Sequence, residues 1–202
     1  MYRAASDEMY CLFDDSWWEV MNDFNVGNEW RMALDELAAQ PACPTMPKGT
    51  LAFISSDGIA QMAVSLLPYF QHIIVKCGDR GIILVARITG AATRNWDNER
   101  SNPYGRYIVA KGLGGDTSVV LKHFPAVALD NTNIVNVTGA GDTLVGALCA
   151  GLVRNQQALQ DPSQCAALVQ FAQEAATLSL RSERAVSPLV RDMVLPTVNI
   201  EA

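Results

Sequence analysis

Glycines, small residues and a single carboxylate come together between Asn133 and Leu152, in the stretch NIVNVTGAGDTLVGALCAGL. The pattern predicts a β-branched strand, Ile134 to Val137, that ends at Thr138, a turn at Gly139-Ala140-Gly141, and a helix beginning near Asp142 and running through Ala150. Two residues without a Cβ let successive backbone N–H groups converge, and a helix start adds about half a unit of positive charge. Such a nest is an anion site, suited to a phosphoryl group and to the charge that develops on it during transfer. Asp142, at its mouth, is placed to accept the proton of an attacking hydroxyl. The same Gly-x-Gly also serves as a plain strand-to-helix connection with Asp142 as a helix-start charge, and residue types alone leave both uses open.

Two other phosphate motifs do not apply. The chain has no G-x-x-x-x-G-K-[ST], and Gly139 to Leu144 fails the G-x-G-x-x-G pattern at its last glycine. His72 and His123 have no partner spaced for metal or triad chemistry and read as structural. Arg181 and Arg184 read as solvated helix-end charges. The five cysteines are scattered without a C-x-x-C pair, which suits a reducing compartment, and Cys149 and Cys165 lie in apolar surroundings that read as core.

The elements that must position this motif can be read outward from it. Asp161-Pro162-Ser163-Gln164 is a helix start, with Asp161 as cap, Pro162 in the first turn and Gln164 reaching back, and the helix runs to about Leu180. Upstream, His72 to Lys76 and Ile82 to Ala86 read as strands around the turn Cys77 to Gly81. Val119 to Leu121 and Ala126 to Leu129 also read as strands, and so does Leu51 to Ile54, followed by a helix from about Asp57 to Leu67. Arg87 to Gly115 reads as an irregular polar loop with only Tyr107 to Ala110 strand-like. The first 40 residues read as two helices, whose tryptophans Trp17, Trp18 and Trp30 are taken as packing, and Pro41 to Gly49 as a linker. Strands alternating with helices point to an α/β protein built on a three-layer sheet.

Composition narrows the function classes. Half of the 202 residues are apolar and 18% are charged, so the chain is globular. A net charge of -6 with no basic block disfavours nucleic acid, and no apolar run approaches the roughly 18 residues of a membrane span. The amino end has neither the basic start nor the apolar stretch of a signal peptide, which makes a cytoplasmic location the expectation.

Thr138-Gly139-Ala140-Gly141-Asp142, followed by Thr143 to Leu148, resembles the carboxy-terminal motif of the ribokinase-like (PfkB) carbohydrate and nucleoside kinases, D-T-x-G-A-G-D before a helix of small residues. Lys76 to Gly81, KCGDRG, resembles the family's G-x-x-G turn, and Phe171 to Ala176 the segment beside the adenine. The resemblance implies a ribokinase-like three-layer α/β/α sandwich. It makes Asp142 the catalytic base and Gly139, Ala140 and Gly141 the anion hole, with Lys76, Gly78, Asp79, Gly81, Thr138 and Gln173 at the nucleotide. ATP and magnesium (Mg2+) are the implied cofactors, assisted in many members by a monovalent cation such as potassium (K+), which would fall near Asn136 and Ser187. Asn136 stands where the motif most often has Asp.

The wording V-N-V-T-G-A-G-D-T-L-V-G-A-L and the later L-R-S-E-R-A-V-S-P narrow the resemblance toward the fungal kinases of pseudouridine metabolism, commonly fused behind a pseudouridine-5'-phosphate glycosidase. The implied partner is a small sugar or nucleoside, with a homodimer or a fused glycosidase domain as the implied assembly. The expected division is 1–50 as helical insertion and linker and 51–202 as the carboxy-terminal nucleotide-binding and catalytic part of a kinase domain. An N-x-x-E motif, which in the family organises magnesium, does not occur before the linker, so an amino-terminal truncation is expected. The competing expectations are a nucleotide-binding or partner-docking module without turnover, and the tail of a bifunctional glycosidase-kinase.

Overall fold

A computed structural model describes residues 51–67, 69–99, 107–111 and 117–196. The predicted helices of the first 40 residues and the linker after them lie outside this set. The chain divides into two compact units. The first holds the described part of Met1–Val75 together with Ile83–His123, and the second holds Lys76–Ile82 with the described part of Phe124–Ala202.

The first unit is built on strands β1 (His72–Lys76), β2 (Ile82–Thr89), β3 (Tyr107–Lys111) and β4 (Thr117–Phe124), in the sheet order β1-β2-β4-β3, with the strand ends Lys76, Ile82 and Phe124 counted in the second unit. The β3 and β4 strands are antiparallel, with Tyr107 opposite Lys122 and Lys111 opposite Ser118. The continuous apolar run Ile82 to Ala86 suits a strand buried on both faces, and β2 is buried at all five of those positions, whereas the edge strand β1 is only half-buried. On β4 the buried Lys122 holds its ammonium 5.5 Å from the Trp96 ring, and His123 meets Phe53 edge to face.

Three helices belong to this unit: α1 (Phe53–Ser56), α2 (Ile59–Ser65) and α3 (Ala91–Glu99). The expected strand at Leu51 to Ile54 is therefore helix at its end. A run of four apolar residues does not distinguish the two states by period, and here Ser56 and Asp57 donate their N–H groups to the carbonyls of Ala52 and Phe53. The expected irregular loop after Arg87 is also corrected. The β2 strand continues to Thr89, and α3 follows a left-handed Gly90. Its apolar stripe is only Ala92 and Trp96, one turn apart and both buried, too short a signal among polar neighbours to read as a helix.

The second unit contains two long helices, α4 (Ala140–Arg154) and α5 (Pro162–Leu180), joined by a short connection and packed on each other. Their buried residues fall at helical spacing: Ala140, Thr143, Leu144, Ala147, Leu148 and Gly151 on α4, and Cys165, Leu168, Val169, Ala172, Ala175, Ala176 and Ser179 on α5. Gly151 is required by this packing, because a Cβ there would overlap a methyl of Leu168. Cys165 is core as expected, but Cys149 lies off the α4 stripe and is exposed. The α5 start is capped as read, Asp161 Oδ1 accepting from the N–H groups of Ser163 and Gln164, both at 2.9 Å. Gln164 does not reach back; its Oε1 accepts from Asn155 Nδ2.

Two expected strands of this unit are irregular segments. Ala126 to Leu129 pairs with no strand among the described residues, and Ile134 to Val137 gives the N–H groups of Val135 and Asn136 to the Leu180 carbonyl, at 2.8 and 3.1 Å. A helix end has replaced a sheet neighbour as acceptor. Both findings leave a mixed α/β protein with a small sheet.

His72, half-buried at the start of β1, has its imidazole pushed below the usual 6.5 by desolvation. The unfolded chain then binds the proton more tightly than the folded one, so stability is lost as pH falls through about 6.5. Urea unfolding at about pH 7.5 and about pH 5.5 should show a lower midpoint in acid, and His72→Gln should flatten that difference. Equal pH dependence in the two proteins would remove His72 as the cause.

Candidate active site

All the residues singled out for chemistry fall in the second unit. Gly139 is the N-cap of α4 with φ 79, the left-handed region, and offers no side chain to cap the helix. Glycine is required there twice over, by the dihedral and by contact. A Cβ would overlap the carbonyl oxygen of Ala185 and lie 2.8 Å from its carbon. The uncapped first turn leaves the N–H groups of Ala140, Gly141 and Asp142 without partners inside the helix, which is the condition for an anion to bind them. Asp142 and Gly141 are exposed, whereas Ala140 is buried beneath them.

Lys76 reaches this turn from the end of β1. Its Nζ donates to the Gly141 carbonyl at 3.4 Å, and a Cβ on Gly141 would come within 3.1 Å of it. Glycine at 141 is therefore space for an ammonium. The turn after Lys76 runs through the exposed Gly78, with φ 60, and the exposed Asp79 and Arg80 to the buried Gly81. Gly81, at φ 93, is fitted tightly, since a Cβ would overlap the Phe124 carbonyl oxygen and lie 2.6 Å from the Ala126 nitrogen. Gln173 of α5 meets the same segment, donating from Nε2 to the Pro125 carbonyl at 2.9 Å. One turn thus begins at the helix start of α4 and ends on residues 124–126, beside Gln173.

Behind the glycine turn lies a chain of buried hydroxyls, of which the sequence reading singled out only Ser187, and for another role. Thr143 Oγ1 donates to the Gly139 carbonyl at 2.9 Å and lies 3.0 Å from Ser179 Oγ. Ser179, fully buried, accepts from the Ser187 N–H at 3.1 Å, and Ser187 Oγ accepts from the Leu189 N–H at 3.3 Å. The available signal was Ser179 itself, a hydroxyl on the apolar stripe of α5. Asn136 completes the wall: its Oδ1 accepts from the Thr138 N–H at 2.9 Å, and its Nδ2 donates to the Glu183 carbonyl at 3.3 Å.

The implied ligands can be tried against these residues. An exposed helix start, a lysine beside it and a glycine that keeps the space open fit a nucleotide's phosphates. Among the described residues no three His, Cys, Asp or Glu side chains gather to hold a metal ion. A monovalent cation does not fit Asn136 and Ser187, whose polar atoms are engaged as just described and, at Asn136 Nδ2, present a donor where a cation needs oxygen.

This arrangement is a helix start with unpartnered first-turn N–H groups and a carboxylate in its first turn, and the chain is similar to a family of kinases. Residues 105–192 match the model of the pfkB family carbohydrate kinases, a match that takes in Asn136, the Thr138–Asp142 turn, Gln173 and Ser187. The PfkB resemblance read from the motif is therefore borne out. A curated relative, the pseudouridine-metabolizing bifunctional protein of Schizosaccharomyces pombe, is 24% identical over 194 residues, 96% of this chain. The chain spans 22% of the length of that relative. No helix among the described residues is long and apolar enough to cross a membrane.

The two glycines of the turn should respond differently to alanine. Gly139→Ala, strained in dihedral and in contact, should cost about 2–4 kcal/mol of stability in urea unfolding. Ser179→Ala, which leaves the Ser187 N–H and the Thr143 hydroxyl short of a partner, should cost about 1–3 kcal/mol. A Gly139→Ala protein as stable as the parent would show that residues 181–187 do not hold the turn.

Proposed function

We propose that this chain is the nucleotide-side, carboxy-terminal part of an ATP-dependent kinase that phosphorylates a hydroxyl of a sugar or nucleoside, with pseudouridine the favoured acceptor. The observation that carries the proposal is the convergence of Lys76, the uncapped N–H groups of Ala140 to Asp142 and the exposed Asp142 carboxylate at one helix start, the helix start itself lying within residues 105–192, which match a carbohydrate-kinase family. The relative's printed name supports pseudouridine as the acceptor and a bifunctional setting for the whole protein. A ribokinase-like three-layer architecture, with 51–202 as the carboxy-terminal part of that domain and 1–50 as its helical insertion, is the corresponding proposal for the fold. A cytoplasmic location accords with such a small-molecule kinase.

In this reading ATP would supply the phosphoryl group and magnesium would offset the charge of its phosphates. The backbone N–H groups of Ala140 and Gly141, and the Lys76 ammonium, hold the transferring group and the charge that grows on it. Asp142 accepts the proton of the acceptor hydroxyl as that oxygen bonds to phosphorus and the bond to the departing diphosphate breaks. Gly78 and Asp79 on the exposed turn, Gly81 and Gln173 at its anchored end, and Thr138 before the helix line the remainder of the nucleotide pocket.

The experiment is calorimetric titration of the purified chain with MgATP, followed by measurement of ADP release with and without pseudouridine. Asp142→Asn should lower turnover by about 10²–10⁴-fold while leaving MgATP affinity nearly unchanged. Gly141→Ala should keep the fold, since its Cβ meets only the end of a flexible lysine, and weaken MgATP binding by roughly tenfold, as should Lys76→Met. Binding without turnover in the parent would favour the nucleotide-binding module instead, and no binding at all would remove the kinase reading.

A further inference from the structure

The amide of Asn136 is oriented by its surroundings. The Thr138 N–H can only donate, so the side-chain atom 2.9 Å from it is the oxygen. Nδ2 must then face the Glu183 carbonyl, 3.3 Å away, and donates to it. The Val135 and Asn136 N–H groups already meet the Leu180 carbonyl, so this amide ties the segment before the glycine turn to the residues that follow α5. A carboxylate at position 136 would accept from Thr138 equally well. Its second oxygen would then confront the Glu183 carbonyl with no hydrogen between them, and two acceptors at that distance need a cation to join them.

Ser187 is no more available to a cation. It is buried at 5% exposure, its backbone N–H donates to Ser179, and its Oγ caps the following turn at Leu189. Gly139 rests on Ala185 between these two anchor points, so whatever joins residue 136 to residue 183 also steadies the helix start of α4.

We propose that the Asn136 amide performs the joining that a monovalent cation would otherwise supply, so that the glycine-turn site of this chain is indifferent to potassium. The proposal rests on the kinase reading only in naming what the site binds; the internal bridge stands on the geometry of Asn136. A neutral hydrogen bond replaces an ion at a position where the ion would need oxygens on every side.

The test compares the full chain in KCl, NaCl and choline chloride at equal ionic strength. Thermal midpoints should coincide, and MgATP affinity by calorimetry should agree within about twofold across the three salts. Asn136→Asp should melt lower in choline chloride and recover specifically in KCl. A potassium-specific rise in the parent's midpoint, or an Asn136→Asp protein as stable as the parent in choline chloride, would overturn the proposal. If that variant does not fold in any salt, the parent's three midpoints still decide. Failure of MgATP to bind in every salt would overturn the kinase reading alone, because the melting comparison needs no nucleotide.

Discussion

Gly139 sits against the carbonyl of Ala185 with a backbone that only glycine adopts without strain, and the geometry of the site follows from that contact. With no side chain at the N-cap, the first-turn donors of α4 have no partner within the helix. With no Cβ, the loop after α5 can close on the turn and bring Asn136 to Glu183 and Ser187 to Ser179. The Gly139 carbonyl is held from the other side by the Thr143 hydroxyl, itself beside Ser179. A local sequence of glycines would make a turn anywhere. Here the turn is held in one orientation by residues some 40 positions later, and orientation is what a preorganised anion site requires.

Lys76 meets the turn on different terms. Its bond to the Gly141 carbonyl is long and exposed, so it adds little to stability. That weakness leaves the ammonium able to exchange a neutral carbonyl for an anionic oxygen without breaking anything the fold depends on. The turn that carries it is anchored at its far end, where Gly81 fits against residues 124–126 and Gln173 holds the Pro125 carbonyl.

The glycine turn and the two long helices were legible because each is written in local pattern. Gly139 to Asp142 sits between a β-branched run and a small-residue stripe, and Asp161-Pro162 announces α5 in two residues. The Ile134 to Val137 segment shows where local pattern misleads. Its β-branched residues are those of a strand, but its N–H groups find the carboxy-terminal carbonyl of α5, a partner no period encodes. The α3 helix escaped for the opposite reason, its one buried tryptophan standing among polar residues. The hydroxyl chain behind Gly139 joins Thr143, Ser179 and Ser187, which are far apart in sequence and ordinary in type, so only their burial together gives them meaning.

The asymmetry of the site bears on what the rest of a longer protein would have to contribute. The groups proposed for nucleotide and base lie within one compact unit, tied by contacts that do not leave it. Phosphate recognition can be local because backbone N–H groups and one lysine suffice for a charge spread over oxygens. Choice of acceptor cannot be. Selecting one nucleoside among many requires donors and acceptors matched to its particular hydroxyls and ring edges, and a site that leaves such groups unpaired in the wrong ligand. In the kinase reading, the groups proposed at the helix start are a carboxylate, a lysine and backbone, which do not by themselves distinguish one sugar from another. If the helix start binds phosphate as proposed, it fixes where a phosphoryl group lies, while the choice of acceptor needs side chains beyond that carboxylate and lysine.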